Sequence, residues 1–81
     1  MSLIIYRQAI GNERDLVDAR SRAAAIAAEL GFPAREQTRI AAAVSEIGRN
    51  ALIHAGKGEI AFHLEPAESP KRLLVVVRAD G

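Results

Sequence analysis

The stretch Glu46-Ile-Gly-Arg49-Asn50-Ala-Leu-Ile-His54-Ala-Gly56-Lys-Gly58 gathers the residue types best able to do chemistry. On a helix, Glu46 and Asn50 stand four residues apart and so one turn apart on the same side, and His54 continues that line. An asparagine carbonyl oxygen is a hard, neutral ligand suited to Mg²⁺, an ion that keeps most of its waters and binds phosphate oxygens. A carboxylate one turn away is placed to take a proton from a hydroxyl or water attacking a phosphoryl group. Arg49 is displaced by about 100° around the helix from Asn50. Its long side chain either reaches the same phosphates or pairs with an acid elsewhere.

Each of these residues also has a plainer reading. Most exposed carboxylates, and so a lone Glu46, are only solvated. Asn50 sits in a helix interior, where asparagine has poor propensity, a cost that points to a task, although a surface asparagine is common. His54 near a helix C-terminus is favoured by the dipole alone. His54 and His63 fall on different elements with no third ligand evident, so a metal pair is disfavoured. Gly56-Lys57-Gly58 lacks the spacing of a phosphate loop, and a helix C-terminus repels anions, so it reads as a turn.

The elements that must position this stretch follow from periodicity. Leu3 to Ala9 reads as a strand, with Ile4, Tyr6 and Gln8 on one side. Asn12 is a helix N-cap, with Asp15 three residues on in the place of a capping-box acid. A first helix is expected from Glu13 to Leu30, with Leu16, Ala19, Ala23, Ile26, Ala27 and Leu30 as its apolar stripe. Gly31 ends it in the left-handed conformation, and Pro33 sits in the first turn of the next helix. That second helix runs from Ala34 to Ala55, with Ile40, Ala43, Val44, Ile47 and Ala51 as its buried stripe.

From Gly58 to Glu65 apolar and polar residues alternate, placing Ile60, Phe62 and Leu64 on the core side of a strand. Pro66 to Lys71 reads as a turn. Arg72 to Ala79 holds Leu73-Leu74-Val75-Val76-Val77, a run typical of an interior strand. The short turn makes the last two strands an antiparallel hairpin. The order β-α-α-β-β gives an α+β fold, two helices on one face of a small mixed or antiparallel sheet.

Composition narrows the function classes. The chain has 81 residues, enough for one small domain whose core is marginal alone. It has no cysteine, which excludes disulfides and cysteine-zinc clusters. Eleven basic and ten acidic residues give a net charge of +1, against a nucleic-acid binder driven by bulk charge. No apolar run nears the roughly 20 residues of a membrane span, and the N-terminus lacks a signal-peptide pattern. A cytoplasmic protein is the expectation.

Glu-x-x-Arg-Asn-Ala-x-x-His-Ala-Gly, on Glu46 to Gly56, resembles the N-box of the GHKL (histidine-kinase-like) ATPases. Within that superfamily the chain is most similar to the anti-sigma-factor and stressosome serine-protein kinases, in element order as well as motif. The resemblance implies ATP and Mg²⁺ as cofactors, Glu46 as catalytic base and Asn50 as the magnesium ligand, with Arg49 among the nucleotide-binding residues. Val75 to Gly81 resembles the run-up to the family's Asp-x-Gly-x-Gly motif, which places Asp80 against the adenine amino group and Gly81 beside it. The implied function is a serine/threonine-protein kinase that phosphorylates a partner, a STAS-type antagonist or another sigma-factor pathway regulator.

On that resemblance, residues 1–81 are the N-terminal portion of a single ATPase domain, an incomplete α/β sandwich ending at the start of the first glycine motif. Such a portion lacks activity alone. The rival expectation is a non-catalytic interaction or dimerisation module, because an open sheet edge favours pairing with another chain or a second copy. A helix-turn-helix DNA binder using Gly31-Phe32-Pro33 is disfavoured by the charge balance and the alanine-rich second helix.

Overall fold

A computed structural model of the chain describes residues 3–65 and 72–79. The element order is β1 (Leu3–Ile10), α1 (Glu13–Glu29), α2 (Ala34–Ala55), β2 (Gly58–Glu65) and β3 (Arg72–Ala79). The strands form one antiparallel sheet in the order β1-β2-β3. This is the expected α+β arrangement, with a wholly antiparallel sheet. The expected turn from Pro66 to Lys71 lies outside the described residues.

Alternation decides which strand residues meet the helices. Tyr6 and Ile10 from β1, Ile60 and Phe62 from β2, and Leu73, Val75 and Val77 from β3 all pack into one cluster with Leu16, Ala19 and Ala23 of α1 and Val44 of α2. Phe62 is fully buried at the centre, its ring centroid 6.1 Å from that of Tyr6. Burying a side chain of that size contributes about 1.5–3 kcal/mol. The alanines on α1 bring the two helices close, and fewer apolar atoms then have to fill the gap.

The helix ends follow local chemistry. The Asn12 side chain accepts from the Asp15 amide at 2.9 Å, and Asp15 Oδ2 accepts from the Gly11 amide at 2.8 Å. The reciprocal bond therefore reaches one residue before the N-cap. At the other end Gly31 has φ +88°, its amide donating to Ala28 O and the Phe32 amide to Ala27 O, both at 3.0 Å. That pair of bonds is a Schellman close, which gives two orphan carbonyls a partner and turns the chain sharply into α2. Leu30 is the C-cap, not the last helical residue, and Pro33 is the N-cap of α2, not a member of its first turn.

Three further expectations are corrected. The irregularity between Ile4 and Tyr6 puts Ile4 on the face of the sheet away from the helices, opposite to Tyr6 and Gln8. The buried stripe of α2 is Ala41, Val44, Gly48 and Ala51, with Ile40 partly buried, whereas Ala43 and Ile47 are exposed. The stripe is rotated because α2 meets the core through its smallest residue, Gly48. And β3, whose apolar run suggested an interior strand, is an edge strand in the described sheet; its outward residues Leu74 and Val76 stay exposed.

Candidate functional site

The position of α2 is set by contacts on three sides. Its start is held by the Gly31 turn and by Gln37 Nε2, which donates to Phe32 O at 2.9 Å. Its middle is pressed against the core at Gly48. A Cβ there would lie 2.7 Å from Leu16 Cδ2, 3.4 Å from Ile10 Cδ1 and 3.5 Å from Ile60 Cδ1. Its flank toward α1 is tied by Arg49, whose Nη1 donates to both oxygens of Glu13 at 2.9 and 2.8 Å. The helix stops at Gly56, with φ +79°.

These contacts fix where the other faces of α2 point. Arg49 marks the side toward α1, and Ile40, which lines a hollow with Phe32, Leu73 and Leu74, marks the side toward β3. At about 100° per residue, Asn50 and His54 fall on the flank away from α1, and Glu46 on the crest between the flanks. All three are exposed, as are Ile47 and Ile53 beside them. The pair expected along the rim of the core thus stands on the outward side of α2. Glu46 and Asn50 have no hydrogen bond or ion pair within the described residues.

Of the expected site residues, the helix brings Glu46 and Asn50 one turn apart on adjoining faces. Arg49 is turned away from them into its ion pair with Glu13, the second of its two anticipated uses. His54 lies in the last turn of α2, where a histidine favours the dipole. Asp80 and Gly81 lie outside the described residues. Among the described residues no group of three His, Cys, Asp or Glu side chains could hold a metal ion. A magnesium ion would therefore arrive on phosphate oxygens and waters, with one neutral protein oxygen added. An unpaired, exposed Asn50 side chain fits that donor set.

Sequence reasoning missed Glu13, the partner of Arg49, and Gly48. The second carried a signal: an isolated glycine inside a helical pattern costs about 1 kcal/mol and generally has a packing reason. The two glycines of the Gly-Lys-Gly turn also have separate tasks. Gly56 supplies the left-handed cap, and at Gly58 any Cβ would overlap the carbonyl oxygen of Arg78 on the neighbouring strand.

The fold and helix together define a small α+β layer that presents an unpaired acid–amide pair on its second helix. Among known proteins it is similar to the serine/threonine-protein kinase RsbT of Bacillus subtilis (strain 168), with 38% identity over 72 residues. That match covers 89% of this chain and 54% of RsbT, so the chain spans about half the length of its relative. Any run of 72 in 81 residues contains residues 10 through 72, so the match takes in both helices and the whole of Glu46 to Gly58. The chain is thereby related to RsbT over this stretch. No protein-family model matches the chain, and no solved structure matches it. Among the described residues no helix is long and apolar enough to cross a membrane.

Proposed function

We propose that the chain forms the N-terminal portion of an Mg-ATP-dependent serine/threonine-protein kinase domain of the GHKL type. The observation that carries this reading is the relation to RsbT across the stretch that holds Glu46 and Asn50. Asn50 would offer its carbonyl oxygen to Mg²⁺, which when bound neutralises and orients the triphosphate. Glu46 would accept the proton of a serine or threonine hydroxyl as its oxygen bonds to the γ-phosphorus and the bond to the leaving ADP oxygen breaks. Arg49 steadies α2 through Glu13 and would reach the phosphates only on leaving that ion pair. Asp80 would read the adenine amino group, with Gly81 allowing close approach. The partner would be a STAS-type antagonist or other sigma-factor pathway regulator, met in the cytoplasm.

A chimera tests this reading directly: the chain replaces the matching stretch of RsbT, and Mg-ATP is titrated by calorimetry after circular dichroism has established folding. Saturable binding that weakens in N50A is expected, while E46Q leaves binding in place and abolishes phosphoryl transfer to the partner. A folded chimera that binds no Mg-ATP refutes the reading.

The free edge of β3 favours a second reading, a pairing module. Its ladder with β2 is regular over eight residues, its charges are confined to the two ends, and it exposes Leu74 and Val76. Two copies joined along β3 would form a homodimer with a continuous six-stranded sheet. Sedimentation across concentrations decides it, since a folded monomer throughout excludes the pairing.

A further inference from the structure

A broad concavity lies on the opposite margin of the molecule from α2. It is a groove of about 610 Å³ between β1 and the outer flank of α1, bounded by Tyr6 and Gln8 below and by Asp15, Asp18 and Arg22 above. At Arg22 and Ala25 it continues into a second hollow of about 230 Å³, bounded by Ile5, Ile26 and Leu30. β1 is the other edge of the described sheet, so among the described residues the groove floor is a strand without a neighbour on that side. An irregularity between Ile4 and Tyr6 interrupts the ladder with β2, and from Tyr6 to Ile10 the register is regular.

The groove wall carries a periodic chemical pattern. Ile26, Arg22 and Asp18 are spaced by four along α1, one turn and about 6 Å apart at each step. Alternate residues of an extended strand are spaced by about 6.6 Å. A strand laid along β1 would thus present one side chain to each wall residue in turn. Ile26, with Ile5 and Leu30, accepts an aliphatic group. Arg22, its guanidinium carbon 4.8 Å from the Tyr6 ring centroid, favours an acid. Asp18 and Asp15 favour a base. Beneath them Gln8 donates through Nε2 to Asp15 O at 2.8 Å, which leaves its Oε1 shielded from solvent and without a partner.

We propose that this groove is a docking site for an extended polypeptide segment that adds antiparallel to the edge of β1. Its recognition pattern is base-x-acid-x-aliphatic, read from the Gln8 end to the Ile5 end. For antiparallel addition this order runs from the N- to the C-terminus of the segment, because β1 and α1 run in opposite directions, with Gln8 beside Asp15 and Ile5 beside Leu30. Main-chain bonds to β1 supply affinity and the three alternate side chains supply specificity, the division of labour in strand addition. Arg22 also excludes the reversed charge order by repulsion. The inference is independent of the role given to α2.

The test uses the 81-residue chain and a fluorescein-labelled peptide, Ser-Lys-Thr-Glu-Thr-Leu-Ser amide, followed by anisotropy and by amide chemical-shift mapping on the ¹⁵N-labelled protein. The expected result is saturable binding with shifts confined to Ile5–Ile10 and the outer flank of α1. Exchanging lysine and glutamate in the peptide weakens binding by at least about tenfold, as does N-methylation of its alternate amides. Asp18→Lys loses the same factor and recovers with a peptide carrying glutamate in place of lysine, a rescue that a merely unfolded variant cannot give. Ala25→Arg, placed on the α1 wall between the two hollows, blocks all peptides. Absence of saturation at millimolar peptide, equal binding of the charge-exchanged peptide, or shifts clustered on β3 overturns the proposal.

Discussion

Replacing Gly48 by alanine sets two effects of known size against each other. On an exposed helix the change would stabilise the fold by about 1 kcal/mol, through lower backbone entropy in the unfolded chain and better helix propensity. Here the new methyl would lie 2.7 Å from Leu16 Cδ2, well inside carbon–carbon contact, with Ile10 and Ile60 close behind at 3.4 and 3.5 Å. A free leucine would swing aside, but Leu16 is 1% exposed and Ile10 and Ile60 are equally enclosed. The insertion therefore overpacks the junction of α1, α2 and the sheet, at a cost of about 1–3 kcal/mol. Subtracting the helix gain leaves a net loss of around 1 kcal/mol. For a domain of this size that lowers the melting temperature by roughly 4–8 °C.

Equilibrium urea unfolding followed at 222 nm measures the shift in midpoint at constant slope. Leu16→Ala sharpens the result, because alone it costs about 2–5 kcal/mol but in the Gly48→Ala background it also removes the clash. The two substitutions should therefore couple favourably by about 1 kcal/mol in a double-mutant cycle. A raised midpoint for Gly48→Ala, or additive losses in the cycle, would show that α2 does not meet the core through position 48, and the argument that orients Glu46 and Asn50 would go with it.

Gly58→Ala should be far more damaging, because its Cβ meets the backbone oxygen of Arg78, which has no rotamer to change; thermal melts should show a chain that no longer unfolds cooperatively. The Arg49–Glu13 pair, with 48% and 66% of the two side chains exposed, should couple by no more than about 0.5 kcal/mol in a cycle of alanine substitutions, falling further in 1 M salt. Glu46→Gln and Asn50→Ala should leave stability within about 0.5 kcal/mol of the parent, the second on the favourable side, as urea midpoints will show.

Most of the fold was legible because local chemistry and global packing agree. Asn12, Gly31 and Gly56 mark helix ends in ways that depend on neighbouring backbone alone, and each is found at its mark. The alternation of β2 was readable for the same reason. The face of α2 was misjudged because hydrophobicity was taken as the guide to burial. Ile47 is the more apolar residue, yet Gly48 is the one in contact, since the distance between α2 and α1 leaves no room for a side chain there. That distance depends on Leu16, 32 positions earlier. The edge position of β3 was hidden for a related reason. A run of β-branched residues records that a strand is packed on one face, and it carries no information on whether a neighbour pairs with its outer edge. At the candidate site the residue types and their helical spacing were legible, while the engagement of Arg49 by Glu13 was not, because the two meet across 36 positions.

The composition of the outward face of α2 bears on what that face is for. A helix face built only for solvent carries charges and small polar groups, and isolated apolar residues on it need no explanation. Here Ile47 and Ile53 stand 48% and 67% exposed, flanking an unpaired carboxylate and an unpaired amide. Asn50 is also the kind of residue a helix interior tolerates at a cost, in a place where no contact within the described residues repays it. Two exposed isoleucines, an unfavourable asparagine and an unpaired acid within eight positions together resemble one wall of a site more than a solvated surface. Apolar side chains on such a wall strip water from whatever lies against it, and the acid and amide then act at short range in a medium where their interactions are strong. On this argument, changing Ile47 and Ile53 to polar residues would leave the 81-residue fold intact and weaken ligand binding at the acid–amide pair.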